Sequence, residues 1–456
     1  MNAEEKKAYR IKMFTDLYSG IIPDRFPVSD GVGLEYLIQY AGKDLMTTQY
    51  SYTKELLMEV YEKGMELLRG DTFGLAFARN PIAMMFLQTK VDVMSKSGFV
   101  QHPETSGFEP EEYDEFNKAP YDFIVEKIMP RMNAGYDTDP ASRSLAFAKY
   151  MHAVMDQGKL FAEVSQTLIE RGGYFSAPPG TVGIQPVPYD YLADFCRGFS
   201  KLPLDTKRYP EKVEAAMEAL MPYSIWRGRT PATSILGNNM IMTHMGTFLN
   251  KKDFERFYWP TFHKLCHICA ERGQAMSIFC EDDWTRYIDH LQDLPQGTRL
   301  HMEYGDPQLF KDKLGKKMVL GGFYPLTLLK NGTKEQCIDK AKELIDILAP
   351  GGNFNWRFDK GALSVNDINP ANYVAVMDYV LENSKYENAG ELVTTAKKED
   401  SIQKFSHLYP DFTSKYIVSF DEFKQKYPPV DERVEPLMRA AYDKYTNMVT
   451  PFITVY

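Results

Sequence analysis

From about residue 205 onward the chain alternates helical stretches with short apolar runs, and this alternation constrains the fold more than any other feature. A helical stretch at 210–220 precedes a strand-like stretch at 234–242. Helix 252–272 then leads to the apolar run 274–280, and helix 284–294 to the run 298–303. Helix 308–314 leads to 317–322, helix 333–348 leads to 353–358, and a last helix runs to about residue 382. Strand–helix units at this spacing imply a parallel sheet, with each helix crossing back over it. The chain lacks both a dinucleotide-binding glycine fingerprint and a phosphate-binding Gly-Lys-Ser/Thr loop. A closed (β/α)8 TIM barrel is therefore expected ahead of an open doubly wound sheet. Residues 76–385 are assigned to that barrel, 1–75 to an N-terminal helical extension, and 386–456 to a C-terminal helical tail. Residues 177–188 hold four prolines in twelve positions and read as a long loop,.

Composition narrows the partners. With 53 Lys and Arg against 62 Asp and Glu, the net charge is −9. An acidic chain without a basic block is a poor match to nucleic acid or to an anionic membrane surface. No run reaches the length of a membrane span. The charged start lacks a signal-peptide core, so a cytoplasmic protein is expected. The five cysteines, at 196, 266, 269, 280 and 337, are too sparse for a disulfide framework and are expected as reduced thiols,. Twenty-eight Phe, 29 Tyr and 23 Met suit a large core and an apolar pocket,.

In a parallel barrel the active site lies at the C-terminal ends of the strands. One such end is Cys280-Glu281-Asp282-Asp283. The next strand carries His301 and Glu303 on one face. The following ends are Gly321-Gly322-Phe323-Tyr324 and Trp356-Arg357-Phe358-Asp359. Thiolate, imidazole and carboxylates gathered at one rim suit Zn2+, for which Glu281, His301 and Cys280 are candidates, Cys280 also reading as a buried small hydrophobe. Asp283 also reads as a cap for the turn that follows. Cys266-His267-Ile268-Cys269 lies within a helix, with His267 off the face shared by the two cysteines, and reads as structural. His244 and His290 carry no expected role.

Several segments resemble the uroporphyrinogen decarboxylase superfamily. They are Asp194-Phe-Cys-Arg-Gly198 with Asp205 to Glu211, Lys252 to Pro260, Leu320-Gly-Gly through Thr333, Ala349-Pro-Gly-Gly-Asn-Phe354 and Asn369-Pro-Ala-Asn372. The resemblance spans roughly residues 80–385 and implies the same barrel. The Arg-Gln-Ala-Gly-Arg segment with which true decarboxylases grip a tetrapyrrole is missing. Phe279 to Thr285 and Leu294-Pro-Gln-Gly297 look most like the cobalamin-dependent methyltransferases of O-demethylase systems. That likeness implies methyl transfer from a small-molecule donor, an aryl methyl ether, to the cob(I)alamin of a partner corrinoid protein. Zn2+ or an acid would assist the leaving group. Glu303 or Asp359 would donate the proton, and Phe279, Tyr324, Trp356 and Arg357 would bind the donor. A homodimer is expected because related barrels often dimerise. The alternatives are a tetrapyrrole carboxy-lyase and an inactive barrel that docks a corrinoid protein.

Overall fold

Helices of the repeating region begin where the chain supplies a cap. Asp306, Thr333 and Asn369 accept backbone N–H groups at the starts of helices Pro307–Leu314, Lys334–Leu348 and Pro370–Glu382. Proline opens the first and third of these, where its missing N–H removes no helical bond,. The 33-residue helix Pro140–Gly172 is capped by Asp139 and stops at Gly173, which takes the left-handed conformation that glycine adopts without strain,. The computed structural model describes residues 1–73, 79–394, 396 and 398–453.

Five strands lie side by side in chain order, every pair parallel: β1 (Val182–Ile184), β2 (Asn238–Thr243), β3 (Met276–Asp283), β4 (Arg299–Tyr304) and β5 (Val319–Gly322). Parallel bridges continue the pairing beyond both edges. Leu320 pairs with Phe354, Tyr324 with Phe358, Trp356 with Val28, Ala362 with Val32, and Thr72 with Phe175. The Asp71 N–H donates to the Val28 carbonyl, and the Phe175 N–H donates to the Asp71 carbonyl. Eight parallel segments thus form the TIM barrel, the third interrupted by Pro178-Pro179-Gly180 between Phe175 and β1.

Side chains alternate across each strand. Ile278, Cys280, Leu300, Met302, Trp356 and Phe358 are buried in the main apolar core. Ser277, His301, Asn355 and Arg357 line the barrel interior. The expected strand–helix units occur in the expected order. The stretch expected as helix 284–294 is shorter, with only a 3-10 turn at Thr285–Tyr287 and the helical turn Ile288–Leu291.

Helical segments flank the barrel at both chain ends, but residues 1–75 are more than an extension. Val28, Val32 and Thr72 pair within the barrel ring. These segments were hidden in the sequence because each is held by isolated bridges and shows no alternating run. The tail contains helices Phe420–Lys426 and Glu435–Ile453 joined by irregular chain. Among the described residues no helix is long and apolar enough to cross a membrane.

Candidate active site

The residues of the rim come from the C-terminal ends of β2, β3 and β4 and from the helical segment 188–197. That segment is fixed by a buried ion pair, in which Arg197 Nε donates to Asp205 Oδ2 at 2.6 Å. Tyr113 donates its hydroxyl to the same oxygen at 3.0 Å. Gly198 follows with φ +104°, a conformation open to glycine, and leaves the chain room to turn under the pair,. This anchoring places Asp190 and Asp194 over the end of β2.

His244 directly follows β2. Its Nδ1 lies 2.8 Å from Asp194 Oδ2, and its Nε2 lies 3.4 Å from Glu281 Oε2. The hydrogen bond to Asp194 raises the imidazole pKa to about 9; burial opposes the shift, and Asp194, Asp190 and Glu281 add to it through charge,. His244 is therefore an imidazolium at neutral pH. Beneath it, Asp190 accepts from the Tyr258 hydroxyl at 2.7 Å and from the Met245 N–H at 2.8 Å. Burial, followed by the neighbouring Asp194 charge, lifts Asp190 to about 7. Glu281 is also raised, by burial first and then by Glu303 and Asp194 against the opposing His244. Asp194, Glu281 and Asp190, the last half-ionised at neutral pH, thus surround one protonated imidazole.

A register shift in β3 shapes the neighbouring part of the rim. The pairing with β4 slips between Cys280 and Asp283, and Asp282 sits at φ +62°. Aspartate tolerates this left-handed conformation better than branched residues. The bulge turns the Asp282 N–H onto Glu303 Oε2 at 2.8 Å, while Lys360 Nζ pairs with Glu303 Oε1 at 2.6 Å. Burial penalises the Glu303 charge, but Lys360 and the Asp282 N–H outweigh it and hold the carboxyl below its usual range. Glu303 is an ionised acceptor, unlike the proton donor expected from sequence. Asp359 is raised by burial, yet its Oδ1 accepts from the Leu326 and Lys360 N–H groups at 3.1 and 2.7 Å. Asp283 caps the next turn, accepting from the Thr285 N–H at 2.8 Å.

The expected zinc ligands are not gathered into one site. Cys280 is wholly buried on the outer face of β3, the face opposite that of Glu281, and burial pushes its thiol up. His301 lies within the barrel, its Nε2 2.7 Å from the Phe358 carbonyl and its ring 5.0 Å from that of Phe279. Burial and then Arg357 depress it to about 3, so it is neutral. Among the described residues no group of three or more His, Cys, Asp or Glu side chains is arranged to hold a metal ion. The donors present do not fit zinc.

Two expected substrate walls are core instead. Tyr324 is fully buried and donates to the Cys337 carbonyl at 2.9 Å, and Trp356 packs 5.6 Å from it. The left-handed turn at Phe323 (φ +66°) and the outward parity of residues 356 and 358 carry these rings to the outer face. Phe279 and Arg357 remain partly accessible on the interior.

His244, Asp194, Asp190, Tyr258 and Lys360 are rim residues to which the sequence assigned no catalytic role. The strand-end rule that selected the other rims applies to His244 as well. Its strand was expected to end at 242, one residue before the observed Thr243, which hid the signal.

Residues 188–382 match the uroporphyrinogen decarboxylase (URO-D) family. No curated protein matches the chain. The matched span contains the whole Asp190–Asp194–His244–Glu281 group and the β2–β5 units. Members of the superfamily are generally enzymes.

Proposed function

We propose, taking the match over residues 188–382 as the premise, that the chain transfers a methyl group from an aryl methyl ether to the corrinoid of a partner protein, with acid assistance from His244. The observation that carries this reading is the imidazolium held between Asp194 and Glu281 at the rim. Asp194 keeps the ring charged and fixes its orientation. Nε2–H then points toward the position where Glu281 lies 3.4 Å away, near enough for a donor oxygen to take the proton in its place. As the methyl carbon–oxygen bond breaks, its electron pair stays on oxygen and the Nε2 proton moves to that oxygen. The product leaves as a neutral phenol in place of a phenolate. Glu281 and Asp190 receive none of this charge; they preserve the field that keeps His244 protonated.

The cob(I)alamin of a corrinoid partner supplies the nucleophile for the methyl group. The rim is accessible to such a group, with the His244 and Glu281 side chains 37% and 43% exposed. No step is routed through zinc, because the donor set does not fit it.

The test uses the purified full chain with free cob(I)alamin as methyl acceptor and 2-methoxyphenol as donor, reading catechol release. Wild type is expected to release catechol. His244→Gln and Asp194→Asn are expected to be slower by about 10²–10⁴-fold, the usual worth of a positioned general acid. Variants as fast as wild type would overturn the assignment. Release of CO2 from uroporphyrinogen by the wild-type chain, without methyl transfer, would favour the lyase reading.

A further inference from the structure

Below the rim, at the level of the N-terminal ends of β4 and β5, the barrel interior holds a second site that the reaction above does not use. A small cavity of about 10 Å³ there is lined by nine residues, among them Ser277, His301, Asn355 and the apolar Leu300, Val319 and Leu320. Two of the nine, Arg299 and Arg357, carry guanidinium groups.

The two arginines differ in what holds them. Arg299 donates to the Gly237 carbonyl at 2.7 Å and to the Ile235 carbonyl, and its guanidinium lies 3.4 Å from the centre of the Tyr18 ring. Arg357 makes no hydrogen bond and no ion pair among the described residues. Its stem lies over Gly321, where an added Cβ would stand 3.5 Å from Arg357 Cγ and Cδ and only 2.4 Å from the Asn355 carbonyl oxygen. The bare glycine makes room for the Asn355 carbonyl, and the arginine stem packs over it at ordinary contact distance.

Among the described residues no carboxylate forms an ion pair with either guanidinium group. Glu303 is taken by Lys360 and the Asp282 N–H, and Asp359 by two backbone N–H groups. Lys398, from the C-terminal segment, adds a further positive charge beside Arg299. Burial, and for Arg299 also the repulsion of Arg357, pushes both guanidinium groups below their ordinary range. His301 directs its Nε2–H to the Phe358 carbonyl and stays neutral, so it neither adds to nor offsets the charge. The Asn355 Oδ1 is buried without a partner. Turning that amide over presents its NH2 group instead. Arg357, partly accessible and unpaired, and Arg299 thus bring two positive charges to one cavity, which favours a counter-charge there,.

We infer that the cavity is a binding site for one small inorganic anion of halide size, held by Arg357 and Arg299. The volume sets the size limit, since about 10 Å³ admits a single water-sized occupant,. A carboxylate or phosphate group is too large for it. The anion would be a structural ligand that joins β4 to the segment 353–358, independent of methyl transfer.

The test compares thermal unfolding of the full chain in sodium chloride, sodium bromide and sodium gluconate at equal ionic strength. A saturable rise of about 2–4 °C in the halides over gluconate is expected, the size that ligand linkage gives a chain of this length. Arg357→Met, which keeps the stem and removes the charge, is expected to lose the halide-specific rise. Equal midpoints in all three salts for wild type would overturn the inference. Should the variant not fold, bromide anomalous scattering from wild-type crystals decides. A peak between Arg299 and Arg357 supports the site, and water or empty density there overturns it.

Discussion

His244 owes its proton to where its two nitrogens point. Nδ1 is tied to Asp194 at 2.8 Å, and Nε2 is left with only the longer approach to Glu281. A donor oxygen entering from the rim meets a charged N–H whose position is already set. Cys280 shows the opposite arrangement: one residue before Glu281, it faces the core, wholly buried. Cys280→Ala is accordingly expected to cost about 1 kcal/mol of stability for a small cavity and to leave methyl transfer intact. Denaturant unfolding beside catechol release checks both, and loss of transfer in a folded variant would restore a ligand role for the thiol. Asp283 as a cap, Glu281 on the rim and Phe279 on the interior are legible in the sequence, because strand alternation and turn chemistry decide them. Ionisation states set by long-range partners are not legible there. The ionised state of Glu303 depends on Lys360, which lies 57 residues on, and the charge of His244 depends on Asp194, 50 residues back.

At the level of elements, β3 and the C-terminal segment do the positioning. The β3 bulge brings a backbone N–H to Glu303 and separates Glu281 from Asp282 in direction. The C-terminal segment crosses the helix Trp259–Glu271 and is pinned to it. Gln403 N–H donates to His267 Nδ1 at 3.0 Å, and the Phe405 and Ser406 N–H groups donate to Glu271 at 3.3 and 3.1 Å. Thus the Cys266-His267-Ile268-Cys269 motif is structural, as its helical spacing implied. His267 is depressed to about 4 by burial and then by His263, with Lys317 adding to the effect and the Asp293 carbonyl opposing it. A depressed histidine lets the unfolded chain bind the extra proton. Its stabilisation is therefore complete above about pH 6.5 and is lost progressively as pH falls toward 4, up to about 3 kcal/mol in all. The protection factors of amides in residues 398–409, corrected for the slower intrinsic exchange at lower pH, are expected to fall between pH 7 and pH 5,. Unchanged protection over that range would contradict the His267 tether. The strand–helix units were legible because apolar runs and caps repeat locally. The bulge was not, because nothing in Glu281-Asp-Asp283 marks which residue turns left-handed.

At the scale of the molecule, the barrel closes only with chain from outside the matched region. Residues 28–32, 71–72 and 175–184 complete a ring whose other five segments lie between 238 and 358. A chain starting at residue 76 lacks two of the eight parallel segments. It is expected to lose the cooperative thermal transition of the full chain, whereas removal of a mere extension would preserve it. Circular dichroism melting decides between the two. The proposed reactive group nevertheless sits wholly within 188–382, and the flanking chain completes its frame. If His244 protonates the departing oxygen, varying that oxygen reads the proton transfer directly. Single-turnover phenol release would be followed for wild type and His244→Gln, with free cob(I)alamin and a series of ring-substituted anisoles. The loss on substitution is expected to be largest for donors of the least acidic phenols and to shrink toward none for a nitro-substituted donor, whose phenolate leaves unaided. An equal loss for every donor would contradict the claim and leave His244 a role only in holding the rim together.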